Sequence, residues 1–181
     1  MKAPMRHMPD DIATAASAAV PVSDPADYRK ALGCFGTGVT VVTAHHEGQD
    51  WGMTCNSFSS VSLNPRLVLW SIRKEASSLQ AFTQSGGFTV SVLASAQADL
   101  AMQFTKGSMP ERFAGVSATR QASQRLRLDG AVAWFDCSLH QLVDAGDHHI
   151  VIGQVQDFGW HDAAPLSFCR SKFGLFQTLP S

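Results

Sequence analysis

The sequence predicts a mainly β protein, a closed or partly closed β-barrel with a few short helices, on three observations. Runs rich in Val, Ile, Thr and Phe recur at strand length. Turn-forming clusters such as Ser85-Gly-Gly87 and Asp144-Ala-Gly-Asp147 separate them. Few stretches carry a helical pattern, and six or more strands with so little helix to cover their edges favour closure of the sheet on itself.

Residues 1–23 are rich in Ala, Pro, Asp and Met without sustained periodicity and read as a mobile arm, leaving residues 24–181 as one domain. Asp24-Pro25 looks like an N-cap with proline at the first helical position, opening a short helix through Tyr28 and Leu32 that stops at Gly33 or Gly36. Residues 39–44 are compact and β-branched, hence a strand, and residues 45–50 read as the hairpin loop into a second strand from Trp51. Residues 67–72 are nearly continuously apolar, as in a strand covered on both faces. A short helix over residues 76–84 follows, then an alternating strand over residues 88–93 and a helix over residues 97–104. Residues 106–129, with Gly, Pro and several Arg, read as a long loop with a short turn. Residues 131–143, 150–158 and 166–168 are further strands.

The 181 residues suffice for one domain with a sizeable core, and 45% hydrophobic with 16% charged residues is ordinary for a globular chain. With 14 basic against 15 acidic residues and no basic block, nothing favours nucleic acid or an anionic membrane as a partner. Cys34, Cys55, Cys137 and Cys169 stand far apart without a C-x-x-C pair, so free thiols are expected, with neither a zinc ribbon nor a dithiol redox motif. Pro9, Asp10, Asp11 and Pro21 interrupt any signal-like apolar run, and no later segment reaches membrane-spanning length, which points to a cytoplasmic protein.

The stretch from Trp51 to Pro65 stands out because it carries no charge between Gly52 and Pro65 yet holds Thr54, Asn56, Ser57, Ser59, Ser60 and Ser62. A hydroxyl buried without a partner costs about 1–3 kcal/mol, so these groups bond either their own backbone in turns or a polyhydroxylated, phosphorylated ligand. Arg73, Lys74, Ser77 and Ser78 follow closely, a set of cations, hydroxyls and a helix start suited to a phosphate.

Four motifs then recur in a familiar order and spacing: Gly38-Val-Thr-Val-Val-Thr43, Gly52-Met-Thr54 with Asn56-Ser-Phe-Ser-Ser-Val-Ser-Leu63, Leu67-Val-Leu-Trp-Ser-Ile72, and Gly146-Asp-His148. Together they resemble the short-chain flavin reductases, the NAD(P)H:flavin oxidoreductases that serve two-component flavin-dependent monooxygenases. The likeness runs from about Tyr28 to Phe173. It implies a split β-barrel of the FMN-binding type, usually a homodimer, that takes FMN or FAD and uses NADH or NADPH as hydride donor. Met53, Thr54, Asn56 and Ser57 match the positions that face the flavin ring and ribityl chain, with backbone N–H groups there able to bond the ring. Ser71, Ile72, Arg73, Ser77 and Ser78 match the segment that holds the flavin phosphate, and Gln103 and Phe104 the segment that closes over the flavin. His148 matches the residue beside the nicotinamide. Its neighbour His149 does not make a metal pair with it, because successive strand residues point to opposite faces.

The sequence departs from the family at Asn64 and Arg66, where an acidic residue and a second proline are common, and at Phe173, often a tyrosine, which keeps a stacking face without the hydroxyl. What the resemblance implies in function is reduction of flavin by nicotinamide, with reduced flavin passed to a separate monooxygenase. Two rivals share the architecture: a non-enzymatic FMN-binding electron-transfer or sensor protein, and a pyridoxamine-phosphate-oxidase-like protein, which would call for more Arg and Lys in its pocket.

Overall fold

The computed structural model describes residues 24–178, so the arm expected over residues 1–23 lies outside the described residues. Helix α1 (Pro25–Leu32) starts as its sequence implies: Asp24 Oδ1 accepts from the Ala26 N–H at 3.0 Å, and Pro25 fills the first turn. Strands β1 (Thr37–Gly38), β2 (Thr40–His46), β3 (Gln49–Cys55), β4 (Ser59–Leu63) and β5 (Arg66–Arg73) follow. Helix α2 (Leu79–Gln84) leads to β6 (Gly87–Val92), and α3 (Ala98–Gln103) to α4 (Met109–Phe113). The chain ends in β7 (Ala118–Arg120), β8 (Leu126–Leu128), β9 (Ala133–Ala145), β10 (His148–Trp160), β11 (Leu166–Cys169) and β12 (Lys172–Leu175). The fold is mainly β with few helices, and no helix among the described residues is long and apolar enough to cross a membrane.

The principal sheet has seven antiparallel strands in the order β3-β2-β6-β9-β10-β5-β4; a three-stranded sheet, β1-β11-β12, and the β7-β8 ribbon stand beside it. Its two edge strands, β3 and β4, are consecutive in sequence, with only Asn56, Ser57 and Phe58 between them. That link spans at most roughly 14 Å at about 3.3–3.6 Å per residue, so the sheet must curl until its edges approach. No ladder joins β3 to β4 among the described residues, so hydrogen bonding does not close the sheet.

Strand β2 is buried on both faces, which explains its unbroken β-branched character. Val42 and Ala44 enter one core with Trp70, Ile72, Phe82, Phe88 and Val151. Val39 and Val41 enter a second with Leu93, Ala101, Phe104, Leu128 and Leu166. The two faces alternate residue by residue, as the pleat requires.

Three expectations change. The β2–β3 loop shrinks from six residues to Glu47-Gly48, both left-handed at φ 50° and 76°, because the ladder continues through His45↔Asp50 and His46↔Gln49. The stretch from Trp51 is two strands, since the chain leaves β3 after Cys55 and pairs next with β5. Residues 106–129 hold α4 and the β7-β8 ribbon; α4 is announced by Ser108-Met-Pro-Glu111, whose Ser108 N–H donates to Glu111 Oε2 at 2.7 Å.

At the tight β2–β3 hairpin, Asp50 accepts from Arg120 at 2.6 and 3.0 Å and lies 2.8 Å from His45 Nδ1, tying β7 to β3. Burial alone would raise the Asp50 carboxyl, but bonds to Arg120 and His45 outweigh it and hold the group below its ordinary value. A depressed carboxylate stabilises the fold fully above its unfolded pKa, near ~3.9, and loses that contribution as pH falls through the lower folded value. Asp50→Asn is therefore expected to cost about 1.5 kcal/mol at pH 7, the low end for charged hydrogen bonds because Arg120 is 40% exposed. Urea unfolding at pH 7 and at pH 3 checks this: the difference from wild type should shrink in acid.

Candidate functional site

The corner where β3 hands over to β4 positions the site. Residues of β5 alternate: Val68, Trp70 and Ile72 point into the core, which turns Ser71 and Arg73 outward. Ser57 is drawn across to them, its Oγ accepting from the Ser71 N–H at 2.9 Å and lying 3.0 Å from Cys55 Sγ. Ser57 thus makes a long-range bond, whereas Ser59 bonds locally, to the Ser60 carbonyl at 3.3 Å.

Of the residues expected to bind cofactor, Met53, Thr54, Asn56, Ser57, Ser71 and Arg73 line one cleft of about 320 Å³, and His148 lines it with them; Cys55 and Ala76 complete the wall. A second cleft of about 300 Å³ shares Thr54 and Asn56 and is otherwise bounded by Val39, Met102, Thr105, Phe168 and Phe173. The shared residues make one groove with two different ends. One end is polar and cationic; the other is apolar, walled by Phe168 and Phe173, whose rings lie 5.6 Å apart across the β11–β12 ladder. A larger cavity of about 480 Å³, between the β2–β3 turn and α4, contains none of the expected site residues.

Register explains His148. It lies directly opposite Arg73 on β5, so the histidine and the cation meet although the sequence separates them widely. Its Nδ1 is 2.7 Å from Asp147 Oδ1, and that bond holds the exposed Asp147 carboxyl below its usual range. His149, the next residue, does not line the cleft, and its Nδ1 is buried without a partner among the described residues. Of the paired cations Arg73 and Lys74, Lys74 is taken: its Nζ is 2.7 Å from Asp144 Oδ2. Arg73 has no carboxylate partner among the described residues.

Five expected residues stand apart from the groove. Ile72 is buried in the core at 1% exposure, because it shares the inward face of β5 with Trp70. Phe104 is fully buried, edge-to-face with Phe113, and its carbonyl accepts the Thr54 N–H at 3.3 Å, so that edge amide is already engaged. Gln103 spends its amide N–H groups on the carbonyls of Glu111, Arg112 and Ala114, securing α4. Ser78 is buried and Ser77 exposed; neither lines the cleft, and the Ser78 hydroxyl makes no cap bond to the six-residue α2. The glycine of Gly52-Met-Thr54 also has a structural reason: a Cβ there would lie 2.5 Å from the Phe104 ring, and the Gly52 carbonyl accepts from Arg112 at 2.9 Å.

Sequence reasoning missed Phe168, Met102, Thr105 and Val39. Phe168 pairs with Phe173 across a turn made by Arg170 and Ser171, left-handed at φ 50° and 62°. With no Gly or Asn at that turn, nothing in the sequence marks the hairpin that brings the two rings together.

Residues 32–176 match the flavin reductase like domain. The chain belongs to that family. It is 42% identical over 148 residues to the reductase component of flavin-dependent trigonelline monooxygenase from Acinetobacter baylyi, covering 81% of this chain and 47% of that protein. It is 40% identical over 150 residues to the FMN reductase (NADH) SmoA of Agrobacterium fabrum, covering 83% and 85%. The flavin reductase-like chain thus spans about half the length of some curated relatives that it matches. Among solved structures, the NADH:FAD oxidoreductase SgcE6 of Streptomyces globisporus, in complex with NAD and FAD fragments, superposes with a TM-score of 0.80 at 36% identity, covering 87% of this chain and 98% of that one.

Proposed function

We propose that this protein is an NAD(P)H:flavin oxidoreductase that reduces FMN or FAD and releases reduced flavin to a separate monooxygenase. The observation that carries the reading is the groove with unlike ends, because a flavin mononucleotide is likewise a phosphate joined through a polyol to a flat apolar ring. Arg73, Ser71 and Ser57 would hold the phosphate, Thr54 and Asn56 the ribityl chain, and Phe168, Phe173 and Met102 the ring-sized apolar end. The donor set therefore fits the group. Bound flavin supplies the hydride acceptor, N5, for the hydride of nicotinamide C4. The residues of the chain align and exclude water: the aromatic pair offers a stacking surface, and His148, fixed through Nδ1 by Asp147, keeps Nε2 to orient the nicotinamide carboxamide. No acid–base pair is required of the protein.

The curled sheet, whose edge strands are joined by three residues, supports a split barrel. Exposed Phe35, Trp160 and Phe176, at 78%, 75% and 68%, support a homodimer that covers apolar surface. Light scattering should return the mass of two chains; a single-chain mass across micromolar concentrations contradicts the dimer. The enzymatic reading is tested by aerobic oxidation of NADH and NADPH with FMN, FAD or no flavin. Flavin-dependent oxidation is expected, and its absence with both nucleotides would favour a non-enzymatic flavoprotein. His148→Ala is expected to raise the KM for the nucleotide or slow reduction while flavin affinity stays near wild type; loss of flavin with normal saturated kinetics would place the histidine on the flavin instead.

A further inference from the structure

Away from the groove, the C-terminal end of α1 meets the tip of the β11–β12 hairpin. A pocket of about 340 Å³ lies at the junction, lined by Arg29, Lys30, Gly33, Cys34, Arg170 and Ser171. Cys34 is exposed, with its thiol 3.5 Å from the Lys30 carbonyl oxygen. Cys169 is also exposed, and its Sγ lies 3.6 Å from the Gly33 carbonyl oxygen and 3.9 Å from that of Cys34. The Arg170 N–H donates to the same Gly33 carbonyl at 2.7 Å, which fixes the junction. The solvent-facing Cys169 thiol is therefore held against the backbone of Cys34, a residue 135 positions away in sequence whose own thiol is also exposed.

The charged residues that line the pocket, among the described residues, are all cations: Arg29, Lys30 and Arg170. Lys30 is engaged by Asp27 at 2.9 Å, but Arg29 and Arg170 have no carboxylate partner among the described residues. Cations lining a pocket beside a thiol attract an anionic reactant to it. The other two cysteines differ: Cys55 and Cys137 are buried, and burial pushes the Cys137 thiol up to about 12.

We propose that Cys34 is a modification site for low-molecular-weight disulfides that carry carboxylates, with Cys169 as the resolving thiol. In the first exchange the Cys34 thiol gives up its proton and its sulfur bonds to one sulfur of the incoming disulfide. The reagent's S–S bond breaks, and the departing thiolate takes up that proton. In the second, Cys169 bonds to the Cys34 sulfur of the mixed disulfide and releases the remaining thiol. The protein has then lost two thiol hydrogens to a Cys34–Cys169 disulfide, and the reagent has been reduced to two thiols. The bond ties the segment just after α1 to β11, whose Phe168 walls the apolar end of the groove.

The test treats the full chain with oxidised glutathione or with neutral hydroxyethyl disulfide, then traps free thiols and maps peptides by mass spectrometry. Each rate is divided by that of free cysteine with the same reagent. Cys34 is expected to react before Cys55 and Cys137, with a normalised preference for glutathione that falls several-fold in added salt. Arg29→Gln with Arg170→Asn should lower the same preference; Asn suits position 170 because it tolerates the left-handed φ of 50° found there. Wild type should finish as the Cys34–Cys169 disulfide, reversible by dithiothreitol, and Cys169→Ser should stop at the Cys34 mixed disulfide. Equal normalised rates for the two reagents, or no priority of Cys34, overturns the site; a mixed disulfide that persists in wild type overturns the resolving role. The salt dependence is read on wild type, so the outcome does not hang on the arginine variants folding.

Discussion

Arg73→Ala is expected to weaken flavin binding by about tenfold or more, because a charge-assisted hydrogen bond is worth about 1.5–3 kcal/mol and 1.4 kcal/mol is a factor of ten. The low end applies, since Arg73 is exposed and salt screens it. Its neighbour supplies the control. Lys74 carries the same charge one residue on, but Asp144 holds it at 2.7 Å, so Lys74→Ala should leave flavin affinity near wild type. Titration of each variant with FMN and FAD, followed by flavin fluorescence, checks both. Equal losses at the two positions would show a diffuse field and no phosphate contact.

Trp70→Ala is expected to cost about 3–5 kcal/mol, a large fraction of the roughly 5–15 kcal/mol that stabilises an ordinary domain. Trp70 is fully buried and meets Phe82 and Phe88 edge-to-face at 5.0 and 5.6 Å, so truncation removes the hub between α2, β5 and β6. Trp70→Phe should cost much less. The indole N–H has no partner among the described residues, and removing a buried unsatisfied donor recovers part of the lost packing. Chemical denaturation of both variants decides the order; a phenylalanine variant as unstable as the alanine one would mean that indole shape, and not apolar volume, holds the core.

Much of the fold was legible because strands covered on both faces, such as β2, read as β-branched runs whatever their partners. What was not legible is pairing. His45 and His46 look like loop residues until Asp50 and Gln49 stand opposite them, and the elements within residues 106–129 are too short to show a period. The same division runs through the site. Ser57 and Arg73 were readable from their chemistry, whereas Ser71 was named by its motif. Ile72 was drawn in by its place in a motif, although strand alternation with Trp70 already assigned it to the core. Phe104 was likewise named for its position and is packed against Phe113 and Gly52. His148 was named by its motif, but only the β10–β5 register shows that it faces Arg73.

That adjacency bears on mechanism. On the proposed reading, a histidine opposite Arg73 stands nearer the cationic end of the groove than the apolar end, so His148→Ala also tests how far along the groove the nucleotide reaches. The missing hydroxyl at Phe173 leaves stacking intact, so Phe173→Tyr should change little and is a weak probe of the site.

The most direct measurement of the central claim is anaerobic stopped-flow spectroscopy of the protein with flavin, mixed with NADH and, separately, with NADPH. The account predicts that oxidised-flavin absorbance bleaches in a phase that saturates with nucleotide and depends on the protein, at a rate lowered by Arg73→Ala at limiting flavin and restored at saturating flavin. Bleaching no faster than in protein-free controls with either nucleotide, or an Arg73→Ala variant indistinguishable from wild type at every flavin concentration, would contradict it.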